Sequence, residues 1–383
     1  MIDFRHDDIY FKVTSNQIKT KIDSRSVKSF TVTEEQGKLT TGSLVLDDPA
    51  CLYYDIINRG TFFDIEWGRN YSERGGSLFR KGLTVMITSP SIKLDKTGTT
   101  TIQFKSGFSA IKDKIRKTHS GALSKVIASV MTNAGVTNQM IDFVGMDKSG
   151  DVRQDNETDF NFLTRKATEY KVFFRIGQDL GGNFVGVFAD YKSPMVKNFS
   201  KQVSGTIDEI FQLDYKTGNF NVIEAGVDYQ YSDKGGGRNI SFVIIDGNPV
   251  KNETEKVPQK IQAMQLDEKK LFAYQKKLQD EQGFDASTKF LADVYAAKDF
   301  EDDLIKQFWT PVDYKTATPH TGLKVTAKIL GVPNLTPPQK LKFNGNWPRL
   351  VTGANNIMLR SVTHNISRSG YYCDLECRDY FSL

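Results

Sequence analysis

Between Asp151 and Arg175 the hydrophobic pattern changes period, and that change limits the folds open to the chain. The stretch reads DVRQDNETDFNFLTRKATEYKVFFR. Phe160, Leu163, Ala167 and Tyr170 recur at helical spacing, which leaves Arg165, Lys166 and Glu169 to solvent. Asn156, shortly ahead of Asp159, is expected as the N-cap of this helix, in a variant of the capping box. Val172, Phe173 and Phe174 then open a β-branched and aromatic run. The helix therefore has to end near Lys171 and hand over to a buried strand.

The same alternation of periods divides the rest of the chain. Residues 1–107 read as β throughout. Ser29 to Val32 and Ser43 to Leu46 alternate around EEQGKLTTG, a hairpin ending at Asp47-Asp48-Pro49. Cys51 to Ile57 suits one or two helical turns. Phe63, Ile65 and Trp67 alternate up to Gly68, and Leu83 to Ile87 with Thr100 to Phe104 form a second hairpin, turned at Lys96-Thr97-Gly98. Short strands with turn signals between them predict a small barrel or sandwich. From Phe108 to Ser200 the period is helical: Ser120 is expected to cap a helix with Leu123, Val126, Ile127, Val130 and Met131 on one face and Gly135 past its end. A polar loop then leads to the opening motif, followed by paired strands at Tyr170–Ile176 and Phe184–Ala189.

Strands return from 207 to 245, with alternation over Asn219 to Tyr231 and an apolar strand, Ile240 to Ile245, after Gly235-Gly236-Gly237. Pro258 to Trp309 reads as helical, an insertion with apolar faces such as Leu271, Tyr274 and Leu278. Gly322 to Arg378 is β again. Ile65-Glu66-Trp67-Gly68 has a loose counterpart in Leu341 to Gly345, and the hairpin after Gly82 is echoed after Gly353, a weak internal repeat.

A chain of 383 residues predicts two to four packed units. Its 39% apolar and 25% charged residues describe an ordinary globular composition. A net charge of +5 is small for a nucleic-acid binder, which concentrates basic charge on one face. No stretch has the length of a signal peptide core or a membrane span. Cys51, Cys373 and Cys377 form no disulfide framework; the last two, about 13 Å apart along a strand, are expected as core residues.

No catalytic, cofactor-binding or metal site is expected. There is no phosphate-binding loop, and the glycine clusters sit in hairpin turns. His6, His119, His320 and His364 lack metal-ligand spacing, and His364 reads as a hydrogen-bonded residue on a strand. His119-Ser120 has no marked third partner for nucleophilic chemistry. Asp47-Asp48 and Asp302-Asp303 fall in a turn and on a solvated helix, with nothing to mark a glycosidase pair. The basic run from Lys112 to Lys117 reads as solvated surface. These residues describe a binding or structural protein.

Gln154, Asn156, Glu157, Thr158, Asp159, Phe160, Phe162, Leu163, Arg165 and Phe174 also resemble the signature of the phage late-control D proteins and of the amino-terminal part of VgrG, the baseplate-hub family of contractile tails and injection machines. Gly331, Pro333, Leu335, Val362, His364, Gly370 and Tyr371 resemble the pattern of that family's second barrel; Trp347 to Asn356 departs from it. The resemblance implies a mainly β, α+β fold: a first tube-like barrel (1–107), an α+β domain (108–206), a second barrel (207–245 with 318–383) and a helical insertion (246–317). Three copies would close a pseudo-hexameric ring that joins a six-fold tail tube to a three-fold spike. The implied partners are a trimeric spike, a hexameric tube or tube-initiator protein, baseplate wedge proteins and a tape-measure protein, in a virion baseplate assembled in the host cytoplasm. No cofactor, membrane span or sequence-specific nucleic-acid binding is implied. The residues expected at ring contacts are Phe30, Val32, Leu44, Leu46, Val85, Ile87, Ile102, Phe104, Val362, His364 and Leu375. A separate spike protein is expected because the chain stops at Leu383. The alternatives are the hub of a secretion system or extracellular injection particle, a tail-associated peptidoglycan hydrolase, and a carbohydrate-binding adhesin.

Overall fold

The computed structural model describes residues 9–15, 22, 24–71, 76–93, 98–110, 113–204, 210–214, 222–233, 236–245, 248–251, 280–281, 321–344 and 357–379. It divides into two units. The first holds 1–211 with 329–340 and 358–375, and the second holds 212–328, 341–357 and 376–383.

In the first unit the expected hairpins form. β2 (Val27–Glu35) pairs with β3 (Thr41–Asp47), Phe30 opposite Leu44, and β5 (Gly76–Lys93) pairs with β6 (Thr99–Ser106), Ile87 opposite Phe104. With β1 (Ile9–Thr14), β4 (Phe62–Tyr71), β18 (Ile357–Ser367) and β19 (Gly370–Asp379), they make a mainly antiparallel sheet in the order β1-β4-β5-β6-β3-β2-β18-β19. The last strands of the chain thus lie beside its first hairpin, Ile366 opposite Phe30. Bulges interrupt the register at Val27/Ser29, Ile65/Trp67 and Ile87/Ser89, and each adds local twist that curls the sheet. Alternation sends Phe30, Val32, Leu44, Ile65, Trp67, Val85 and Phe104 inward. Phe30 meets Trp67 at 5.5 Å and Phe104 at 5.9 Å between ring centroids. Gly42 lies directly over the Phe104 ring; a Cβ there would sit 2.4 Å from it. α1 (Leu52–Ile56) supplies the expected helical turn, its first amides held by Asp48, whose Oδ2 accepts from the backbone N–H groups of Tyr53 and Tyr54 and from Thr100 Oγ1.

A second arrangement within this unit is layered. β10 (Phe173–Gln178), β11 (Phe184–Ala189) and β8 (Asn138–Asp142) form a three-stranded sheet, with β8 parallel to β11. One face packs Phe174, Ile176 and Phe188 against α2 (Leu123–Asn133) and α3 (Asp159–Tyr170). The other packs Phe173, Val185 and Val187 against Val196, Phe199 and Val203 of α4 (Pro194–Ser204). Burial on both faces explains why Val172 to Phe174 is a continuous apolar run rather than an alternating one. α3 ends at Lys171 as expected, in a left-handed conformation at φ 54°.

Three local expectations are corrected. The N-cap of α3 is Thr158, whose Oγ1 accepts from Asn161 N; Asn156 instead lies in the preceding strand, one residue before its end, in a left-handed conformation at φ 53°. Ser120 caps nothing: α2 starts after Ala122, and Ser120 lies in β7 (Ile115–Ala122). The polar loop before the motif is β9 (Ser149–Glu157), paired with β7 as a two-stranded ribbon. Most ribbon side chains are solvated, so no apolar period marked it. The stripe of α3 is also centred differently: Phe162 and Leu163 are fully buried, Phe160 is half-buried, and Lys166 is buried.

In the second unit, β13 (Val222–Asp233), β14 (Gly236–Ile245) and β15 (Asn248–Lys251) pair antiparallel in succession, and β16 (Thr321–Leu330) lies beside β13. The helical insertion expected over 246–317 lies outside the described residues, apart from β15 and residues 280–281, which are helical. The departing segment Trp347 to Asn356 also lies outside them. Among the described residues no helix is long and apolar enough to cross a membrane.

Phe188 touches Phe143 and Phe174 at centroid distances of 5.1 and 6.0 Å. Phe188→Ala is expected to lower stability by about 3–5 kcal/mol, through lost burial and the cavity left between sheet and helices. Urea denaturation checks it, and a loss below about 1 kcal/mol would contradict this packing.

Candidate functional site

On β2, Phe30, Val32 and Glu34 share the inward face, so the pairing that buries two apolar side chains also buries a carboxylate. Glu34 is 1% exposed, with Arg175 at 1% and Arg80 at 3%. Arg175 comes from β10, between apolar neighbours, and Arg80 from β5. Arg175 donates to Glu34 Oε2 through one guanidinium nitrogen and to the Pro337 carbonyl at 2.7 Å through another. Arg80 stands 3.5 Å from the same Oε2 and donates to the Val203 carbonyl at the end of α4. Thr336 Oγ1 donates to Oε2 at 2.6 Å. Glu34 Oε1 has no hydrogen bond among the described residues. One carboxylate therefore gathers the curled sheet, the layered α+β part and the segment 331–340.

Burial would raise the pKa of Glu34, but Arg80 and Arg175 overcome it and hold the carboxyl down to about 2. Burial lowers the pKa of Arg175, while Glu34 opposes this. Its two short contacts keep the guanidinium charged. His364 lies beside this cluster, fully buried. Trp67 Nε1 donates to Tyr371 Oη at 3.1 Å; Tyr371 Oη lies 2.8 Å from His364 Nδ1, and His364 Nε2 lies 3.1 Å from the Leu335 carbonyl. A carbonyl only accepts, so Nε2 carries the proton and Nδ1 accepts from the tyrosine. Burial, reinforced by the two arginines against Glu34, lowers the pKa of His364 to about 4. The histidine is a neutral strut, as its place on a strand led one to expect.

The residues of the second pattern meet here. Gly331 N donates to the Tyr371 carbonyl at 2.8 Å, and a Cβ on Gly331 would stand 2.1 Å from the Tyr371 ring. Leu335 receives His364, and Val362 and Tyr371 are buried beside it. The first signature is a brace of its own. Gln154, fully buried, joins His119 Nε2 at 2.9 Å and donates to Asp159 Oδ1 at 2.9 Å and to the Glu157 carbonyl at 3.2 Å. Arg165 pairs with Glu157 at 2.5 Å, donates to the Arg153 carbonyl at 3.0 Å and lies over the Phe162 ring at 5.4 Å. Together they lock β9 onto α3. His119 and Ser120 have separate partners, Ser120 donating to Asp151 at 2.6 Å, so they form no nucleophile–base pair. Among the described residues no group of His, Cys, Asp or Glu is arranged to hold a metal ion.

The ring-contact candidates all have core positions within the chain itself. Phe30, Val32, Leu44, Leu46, Val85, Ile87, Ile102, Phe104, Val362, His364 and Leu375 are at most 3% exposed. Their side chains are committed to the interior, and what their strands offer a neighbour is backbone and the alternate, outward residues. Cys373 and Cys377 are core residues, as expected. Sequence reasoning missed the Glu34 cluster. Parity with Phe30 and Val32 was the available signal for Glu34, and the apolar flanks of Arg175 were the signal for its partner.

No protein-family model and no curated protein sequence matches the chain. Solved structures do share its fold. A component of the type VI secretion system of E. coli, c3393, described as similar to the bacteriophage T4 tail proteins gp27 and gp5, superposes with a TM-score of 0.52 at 12% identity, over 96% of this chain and 76% of the other. A tail protein from Neisseria meningitidis MC58 gives 0.51 at 10% identity, over 98% of both chains. The Francisella PdpA–VgrG complex gives 0.51 at 11% identity, over 98% of this chain and 58% of the other. The chain has the fold of phage-tail and type VI secretion proteins.

Removing one partner of a buried ion cluster strands the others, so Glu34→Gln is expected to cost about 3–5 kcal/mol. Replacing Glu34, Arg80 and Arg175 together by Leu, Met and Met should cost less than that single change. Denaturant midpoints test the order, and a triple variant weaker than Glu34→Gln would refute it. Acid should act in two steps. His364 has its folded pKa below the unfolded value near 6.5, so its contribution is complete above pH 6.5 and is lost between 6.5 and about 4, about 3 kcal/mol at order of magnitude. Glu34, also depressed, contributes fully above about 4.5, and its share is lost as pH falls towards 2. His364→Gln should flatten the upper step alone in a stability–pH profile.

Proposed function

We propose that this protein is the structural hub of a contractile phage tail, a homotrimer whose two tube-like modules present six similar faces to a six-fold tube and three-fold contacts to a spike. One observation carries the reading: the fold likeness to tail and type VI secretion proteins spans 96–98% of the chain. The two motif clusters support it, because their polar residues are engaged in bracing the fold. In this reading residues 1–107 supply the first module, and 207–245 with 318–383 supply the second. Residues 108–206 and 246–317 lie outside the ring. Ring contacts form by strand pairing across subunits, at the edges of the hairpins. The partners are the tube or its initiator, a trimeric spike, baseplate wedge proteins and a tape-measure protein, and the protein resides in the tail baseplate. It has no enzymatic role.

A second reading keeps the architecture and changes the machine. One of the similar structures is a component of a type VI secretion system, so the same trimer would serve as the hub of a secretion system or extracellular injection particle.

Purified protein is expected to have the mass of three chains by light scattering at micromolar concentration, and to appear in electron micrographs as a ring with a central hole. A monomer under the same conditions, with no ring at any concentration tested, would falsify the hub reading. Cell-wall zymography is expected to show no lytic band; a band would establish a hydrolase instead.

A further inference from the structure

The outward face of the curled sheet has an unusual chemistry for a solvated surface. Across β18, β2, β3, β6 and β5, one row of neighbouring residues reads Asn365, Thr31, Ser43, Gln103 and Ser89. The rows on either side are also hydroxyl-bearing, apart from Val45 in one and Lys105 and Met86 in the other. All of these positions except the buried Met86 are at least partly accessible. Five strands at about 4.8 Å spacing make this face about 20 Å wide. Charged residues are 25% of the chain, so a face of this size would ordinarily carry several. The charges at its border are paired: Glu35 with Lys38 at 2.9 Å, and Asp47 with Lys28 at 3.2 Å and Arg368 at 3.3 Å. Hydroxyls also bond along the face, Thr33 to Thr363 at 2.9 Å and Thr31 to Asn365 at 3.3 Å.

A neutral hydroxyl surface suits a polyanion that must move past it. Each unpaired lysine or arginine facing a phosphate would release counterions and hold the duplex, in proportion to the number of contacts. Carboxylates would repel it. Serine and threonine exchange hydrogen bonds between water and phosphate at little net cost, so they set no register. We propose that this face is the wall of the central channel, turned towards a passing DNA duplex. The inference rests on the hub reading and assigns that reading a surface.

The test uses the full chain with Cys51→Ser, which leaves Cys373 and Cys377 buried. Thr101→Cys sits on the proposed wall, Ser43→Cys serves as a second wall position, and Val144→Cys, 85% exposed in the α+β part, serves as a control. Each variant is labelled with maleimide-gold and imaged. Rings with gold in the central hole for Thr101→Cys and Ser43→Cys, and at the periphery for Val144→Cys, are expected. Rings with wall gold at the rim overturn the inference and leave the hub intact. Rings in which the wall cysteines cannot be labelled mean that the face is stacked on another copy, and also overturn it. Absence of rings from the unlabelled protein removes the hub reading and the wall together.

Discussion

Glu34 is the point through which the first unit is held together. A carboxylate at 1% exposure is costly unless its surroundings supply charge and donors. Here they come from three separate places: Arg80 within the curled sheet, Arg175 from the layered part, and Thr336 from the segment after β16. None of these groups is comfortably buried without the others. The arginines need the carboxylate, and each also needs a backbone carbonyl, Pro337 for Arg175 and Val203 for Arg80. Apolar contacts could have joined the same elements with less risk. An ionic cluster accepts one arrangement, since a shifted partner leaves a bare charge in the interior.

His364 shows how the cluster shapes its neighbours. Two arginines and one carboxylate leave local positive charge, which together with burial keeps the imidazole neutral. A neutral imidazole with one donor and one acceptor fits the run from Trp67 through Tyr371 to the Leu335 carbonyl. The residues carrying resemblance to a hub barrel are thus a set of mutual contacts: glycine beneath a tyrosine ring, the tyrosine on a histidine, the histidine on a turn. The signature around Gln154 is likewise a strand-to-helix corner. Both patterns describe how a chain is braced.

The two sides of the curled sheet divide the work. The inner side takes the large apolar residues and the ion cluster, and the outer side takes hydroxyls with few charges. Period-two alternation makes the division possible, because one strand can satisfy two unlike environments with adjacent residues. It also explains why the apolar columns of the hairpins are core and the interaction chemistry has to be sought one residue away.

The sequence by itself determined the types of most elements in the first unit: both hairpins, the strand through Trp67, the helix ending at Lys171, and the strand that follows it. Those are local properties, set by side-chain spacing and turn residues within a short window. It also carried the inward parity of Glu34, in plain view beside Phe30 and Val32. Only the tertiary structure decided what that parity meant, because Arg175 and Thr336 lie 141 and 302 residues away from it along the chain. Only the fold, too, paired β7 with β9 and moved the cap of α3 from Asn156 to Thr158. A solvated ribbon buries too little to leave an apolar period, and an N-cap is chosen by where the preceding strand releases the backbone.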